Sequence, residues 1–135
     1  MLRLTKKTEY GIIAMKCIIA ERERNPEKVV SATEIAEKFN IPRGILGKVL
    51  QQLARKGLIE SYQGVTGGYV LDKPADAINL NEIVKAIEGP ISVVECVTDD
   101  GEECSQLEYC NIKSPILTIQ RNLTNYFKTI SLADL

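Results

Sequence analysis

Residues 31–57, SATEIAEKFNIPRGILGKVLQQLARKG, hold two amphipathic patterns joined by a turn too short to let them lie apart. Ser31 can accept from the Glu34 amide while Glu34 reaches back, a reciprocal cap that opens a helix over residues 32–39. Ile35, Ala36 and Phe39 give that helix its apolar face. Asn40-Ile41 makes the turn, and Pro42 suits the first position of the next helix. There Ile45, Leu46, Val49, Leu50, Leu53 and Ala54 fall in pairs every four residues and face a core, and Gly57 ends the helix. The opposite face shows Arg43, Gly44, Gly47, Lys48, Gln51 and Arg55. Two short helices at a tight turn, the second polar and basic outside, form a helix-turn-helix.

The flanking patterns complete the architecture. Residues 5–20 read as a preceding helix with Tyr10, Ile13, Ala14, Cys17 and Ile18 on one face, broken by the charged run 21–28 and Pro26. LIESYQ (58–63) and YVL (69–71) are strand patterns around GVTGG (64–68), a glycine-rich hairpin tip that makes a wing. A helix opens at Asn79, with Glu82 three residues later, and stops at Gly89-Pro90. Ser114-Pro115 reads as N-cap and first turn of a last helix, in which Ile116, Ile119, Leu123, Tyr126 and Ile130 follow coiled-coil spacing and form the expected dimer interface. The expected fold is mostly α with a small β-hairpin wing. It divides into a winged helix-turn-helix over 1–75, a supporting helix and connector over 76–94, a cysteine-rich loop over 95–111 and a dimerisation helix over 112–135.

Charge separates the two halves. Residues 1–73 carry 13 Lys/Arg against 8 Asp/Glu, whereas residues 74–135 carry 4 against 10. The basic half suits nucleic-acid phosphates. On the second helix of the pair, Arg43 and Lys48 can approach phosphates or guanine acceptors, Gln51 can pair with a base edge, and Gly44 and Gly47 allow close approach. Thr5, Lys6 and Lys7 at the start of the first helix are candidate phosphate clamps. The expected partner is a double-stranded DNA operator. A winged-helix module that binds a partner enzyme is the alternative from another class. No apolar run approaches the roughly 20 residues of a membrane span and no signal-peptide pattern opens the chain, so a cytoplasmic location is expected. With no histidine, nucleophile–base pair or phosphate loop, the chain does not read as an enzyme.

Cys96-x7-Cys104-x5-Cys110 lies in the acidic run ECVTDDGEECSQLEYCN, which contains no Lys or Arg. Thiolates on loose backbone can wrap an iron–sulfur core. Zinc is a rival, but structural zinc sites usually show close Cys pairs; a disulfide switch without any cluster is another. Cys17, on the apolar face of the first helix, reads as core.

LRLTKKTEYGI, the reader SATEIAEKFNIPRGILGKVLQQLARKGLI, the wing QGVTGGYVL, the IVKAIEG helix and the three-cysteine loop together resemble the Rrf-two family of bacterial regulators, the group of IscR, NsrR and RirA. The resemblance covers nearly the whole chain. It implies a homodimeric winged-helix transcription factor with a [2Fe-2S] or [4Fe-4S] cluster that senses iron, cluster supply, nitric oxide or redox state. Carried over, Cys96, Cys104 and Cys110 match the cluster ligands, and Glu9 occupies the segment that supplies an acidic ligand in NsrR-like members. The histidine ligand of IscR-like members has no counterpart, and the seven-residue first gap looks more like RirA. Gln63 and Gly67 match wing positions that face DNA, but Gln63 stands where an arginine is common, and Gly47 replaces a larger base-reading side chain.

Overall fold

Helix boundaries in the computed structural model, which describes residues 4–65, 67–90 and 113–135, follow the capping chemistry of the chain. Helix α1 spans Lys6–Arg24, and the Thr5 hydroxyl at its N-cap accepts from the Thr8 amide at 3.3 Å. It runs past the expected end at residue 20 because Glu21 to Arg24 are acceptable helix formers, and it stops where the Asn25 amide donates to Glu21 ahead of Pro26. Helix α2, Ala32–Phe39, has Ser31 at its N-cap, accepting from the Glu34 amide at 3.1 Å. The expected return arm is replaced: the Glu34 carboxylate pairs with Lys28 at 3.2 Å. Asn40 turns the chain in the left-handed region (φ 53°), and α3 runs Arg43–Arg55 directly after Pro42.

At the end of α3, Gly57 (φ 77°) reverses the chain, with its amide donating to Ala54 and that of Leu58 to Leu53, both at 3.1 Å. The chain thereby enters β1, Ile59–Tyr62, which pairs antiparallel with β2, Gly68–Leu71, in the register Ile59 to Leu71 and Tyr62 to Gly68. Tyr69 also exchanges backbone hydrogen bonds with Val30, at 2.7 and 3.2 Å, so the wing is tied to the segment that leads into α2. Helix α4, Leu80–Glu88, opens with a complete capping box between Asn79 and Glu82 and ends at Gly89. Helix α5, Lys113–Thr129, starts one residue before the expected Ser114 cap. Pro115 still falls in its first turn, where no intrahelical N–H is needed.

The core gathers Met15 and Ile18 of α1, Ile35 of α2, Leu46, Val49, Leu50 and Leu53 of α3, and Ile83 and Ile87 of α4. Two residues expected on apolar faces lie at its margin. Phe39 is 42% exposed with the Lys38 ammonium 5.7 Å from its ring, and Ile45 is 39% exposed. Phe39 is the last residue of α2, and Ile45, in the first turn of α3, lines an open pocket with Tyr10 of α1 and Ile87 of α4. The chain's last residues return to the core: Leu132 is buried, its amide donates to Ile78 at 2.7 Å, and the Leu80 amide donates to the Ile130 carbonyl at 2.8 Å. Ile130 thus lies just beyond α5, held by backbone rather than carried on the helix seam.

Close approach of α1 to α3 and α4 depends on Gly11. A Cβ there would sit 2.5 Å from Ile87 Cδ1 and 3.3 Å from Val49 Cγ1. Gly11→Ala gains about 1 kcal/mol of helix propensity, yet overpacking costs about 1–3 kcal/mol. We expect a net loss of about 1 kcal/mol in urea unfolding. Ile87→Val removes the clashing methyl, so the double variant should show a favourable coupling of about 1 kcal/mol in a double-mutant cycle.

Candidate nucleic-acid interface

The outward face of α3 is open and free of acid. Arg43, Gly44, Lys48 and Gln51 are exposed, Gly47 is half-buried, and a Cβ on Gly44 or Gly47 would meet nothing within 4 Å. These two glycines therefore leave a shallow surface over which another backbone can approach. Arg43 reaches back to Glu37 of α2, its guanidinium 3.1 Å from the carboxylate, with both side chains about two-thirds exposed. Such an exposed pair contributes about 0–1 kcal/mol and gives way to a phosphate at little cost.

The start of α1 differs from a simple phosphate clamp. Glu88, the last residue of α4, places Oε1 within 3.1 Å of the Thr5 amide and accepts from the hydroxyls of both Thr5 and Thr8. Thr8 is the buried polar side chain among the described residues. A carboxylate from α4 therefore already occupies the positive end of α1. Burial would raise the Glu88 carboxyl, but hydrogen bonds from the Thr5 hydroxyl, the Thr8 hydroxyl and the Thr5 amide overcome it and hold the group below its usual range. Lys6 pairs with Glu9 at 2.9 Å, and that hydrogen bond and charge raise its ammonium pKa. Of the three clamp candidates, Lys6 and Lys7 keep exposed side chains, whereas Thr5 is committed within the protein.

On the wing, Gln63 is exposed. Gly67 closes the hairpin: its amide donates to Gly64 at 3.0 Å, and a Cβ would lie 2.4 Å from the Tyr62 carbonyl oxygen. Val65 is fully exposed at the tip, and Tyr62 is 47% exposed on β1. Neither was singled out from the sequence. The glycines of residues 64–68 mark the tip, and a valine among them is the signal by which Val65 could have been found.

The cluster-ligand candidates Cys96, Cys104 and Cys110 lie outside the described residues. Among the described residues no group of three His, Cys, Asp or Glu could hold a metal ion. Glu9 stands in the first turn of α1 with its side chain 45% exposed, and it pairs with Lys6 at the surface. Cys17 is buried as expected, and burial pushes its thiol up. On α5, Ile119 (49%) and Tyr126 (62%) are exposed while Ile116 and Leu123 are half-buried, so the described residues cover the apolar seam only in part. No helix among the described residues is long and apolar enough to cross a membrane.

Residues 4–135 match the model of the Rrf2 family, described as iron-dependent transcriptional regulators. The chain belongs to that family. Its winged helix is the DNA-binding domain of an Rrf2 transcriptional regulator. Protein aau3 of Rhizobium meliloti (strain 1021) is 30% identical over 129 residues, 96% of this chain and 79% of that protein. Among solved structures, CymR (YrzC), the global cysteine regulator of B. subtilis, is 29% identical with a TM-score of 0.69, covering 99% of this chain and 95% of that one. T. potens IscR is 25% identical with a TM-score of 0.70, covering 98% and 85%.

The lock at Glu88 is open to direct measurement. Thr8→Val removes one hydrogen bond to the exposed Glu88 carboxylate and should cost about 1 kcal/mol in chemical unfolding. Because the folded pKa of Glu88 is depressed, its contribution is present at neutral pH and is lost as pH falls through the carboxylate range. Glu88→Gln should be less stable than wild type at neutral pH, and the gap should close in acid. A gap that persists unchanged would mean that shape, not charge, holds the site.

Proposed function

We propose that this Rrf2 protein is a cytoplasmic homodimer that reads an operator with the exposed face of α3 and the wing, and senses its signal through an iron–sulfur cluster on Cys96, Cys104 and Cys110. The single observation that carries the DNA reading is the α3 face, where Arg43, Lys48 and Gln51 stand exposed around two glycines with open space. Gln51 is the base reader. Arg43, Lys48, Lys6 and Lys7 hold phosphates, and Gln63 faces the groove from the wing. The α5 seam of Ile116, Ile119, Leu123 and Tyr126 pairs two chains, and two reading heads then meet two half-sites.

Support for the cluster comes from the cysteine spacing and from the family's description as iron-dependent. Thiolates would anchor the iron, and a [4Fe-4S] or [2Fe-2S] core would supply sensitivity to iron, redox state or nitric oxide. Glu9 would supply the fourth ligand, donated across the dimer, since giving up an exposed pair with Lys6 costs little. A second reading, a thiol-switched regulator without a cluster, is favoured by the likeness to the B. subtilis global cysteine regulator.

Anaerobic purification with iron and sulfide analysis separates these readings. The cluster reading expects visible absorbance that is lost in Cys96→Ala, Cys104→Ala and Cys110→Ala while the fold is kept. Full cluster content in all three would end the ligand assignment without touching the DNA reading. For DNA, Lys48→Ala should weaken binding evenly across sequences and reduce the salt slope by about 1, whereas Gln51→Ala should relax base preference. Binding that is indifferent to salt would contradict the phosphate contacts.

A further inference from the structure

The acidic half of the chain, residues 74–135, has four Lys or Arg residues, and three of them, Lys85, Arg121 and Lys128, line one cleft between α4 and α5. The cleft encloses about 310 Å³, and Asn81, Thr124 and Asn125 add amide and hydroxyl groups to its walls. No Asp or Glu is among the described residues that line it.

Neither helix offers these cations a counter-ion. The sequence of α5, KSPILTIQRNLTNYFKT, contains no carboxylate. The two carboxylates of α4 are committed elsewhere. Glu82 accepts from the Asn79 amide at 3.2 Å and pairs with Lys73 at 3.7 Å, while Glu88 is held by Thr5 and Thr8. Lys85, Arg121 and Lys128 have no ion-pair partner among the described residues. On α5, positions 121, 125 and 128 are spaced four and three apart and share one face. Lys6, Lys28 and Lys38 each face a carboxylate, whereas these three cations converge on one cleft with no carboxylate among the described residues that line it.

We propose that the α4–α5 cleft is a binding site for a small multivalent oxyanion, a metabolite with two or more carboxylate or phosphate groups. Its volume falls at the lower end of small-ligand sites, about 300–1,000 Å³, which suits a molecule the size of a short polycarboxylate or a phosphate ester. Arg121 supplies a planar fork for a bidentate grip, and Lys85 and Lys128 supply point charges from opposite walls. A ligand held by all three bridges α4 to α5, the two helices that flank residues 91–112. This site is independent of the DNA and cluster readings.

The test titrates the full chain, without DNA, with inorganic phosphate and separately with citrate, at ionic strength held constant with sodium chloride. Calorimetry and thermal unfolding are the readouts. Saturable binding at one site per chain is expected for at least one anion. It should be about tenfold or more weaker in Arg121→Gln/Lys128→Gln and in Lys85→Gln, and unchanged in Lys16→Gln, an exposed lysine on α1. Phosphate alone binding identifies a phosphate ester as the ligand class, and citrate alone a polycarboxylate; either supports the site. Absence of saturation, or equal stabilisation of wild type and the cleft variants, overturns it. So does a cleft variant that loses operator affinity while the wild type binds neither anion, because the cations would then be backbone contacts.

Discussion

The close passage of α1 across α3 and α4 is the contact on which the arrangement of every functional group depends. Gly11 gives up about 1 kcal/mol of helix propensity, and in return the helices approach until Ile87, Val49 and Leu53 fill the space where its side chain would be. A few residues earlier, Glu88 closes the same junction with hydrogen bonds to Thr5 and Thr8. An apolar contact and a charged one thus fix the same pair of helices within two turns. The end of α4, the start of α1 and the body of α3 consequently form one unit. The chain leaves that unit at Gly89 toward the cysteine segment, and Glu9 and the reading face of α3 belong to it. A shift in the end of α4 can therefore reach the reader through a single packed junction, with no long route required.

What could be read from the sequence was local. The Asn79–Glu82 box, the Ser31 cap, the stop at Gly57 and the hairpin tip are interactions between residues a few positions apart, and each holds in the structure. The misses involve partners or surroundings outside the local pattern. Thr5 reads as a phosphate clamp until Glu88, 83 residues away in sequence, is seen to occupy it. Glu34 has the right spacing for a reciprocal cap, but Lys28 competes for its carboxylate. Periodicity placed Ile45 and Phe39 on apolar faces without showing that both stay partly exposed at the margin of the core. Leu132 lies outside every pattern that was read, yet it is part of the core because the chain returns to Ile78. The candidate site splits the same way: the exposed face of α3 followed from helical phase alone, whereas the occupancy of the α1 terminus did not.

Electrostatics connects the reader to the rest of the surface. The basic half has a positive excess, but Lys6, Lys28, Lys38 and Arg43 are each paired with a carboxylate on an exposed surface. These pairs add little stability. Their larger effect is on binding, because a phosphate must compete with Glu37 for Arg43, whereas Lys48 has no such rival among the described residues. The charge that counts on the reading face is therefore smaller than a tally of cations implies.

The wing pushes the same logic further. Gln63 and Val65 present an uncharged, partly apolar tip, so the wing brings contact area and shape to a groove but no counter-ion release. Gly44 and Gly47 add closeness without hydrogen bonds. On the proposed reading, direct base readout would fall mainly to Gln51, with Arg43 and Lys48 fixing register. With so few base-reading groups, a single unit would discriminate weakly, and the proposed dimer would gain selectivity by requiring two half-sites at a set spacing. If α5 pairs two chains as proposed, the exposed Ile119 and Tyr126 would take a part in sequence recognition, because that pairing would set the distance between the two α3 helices.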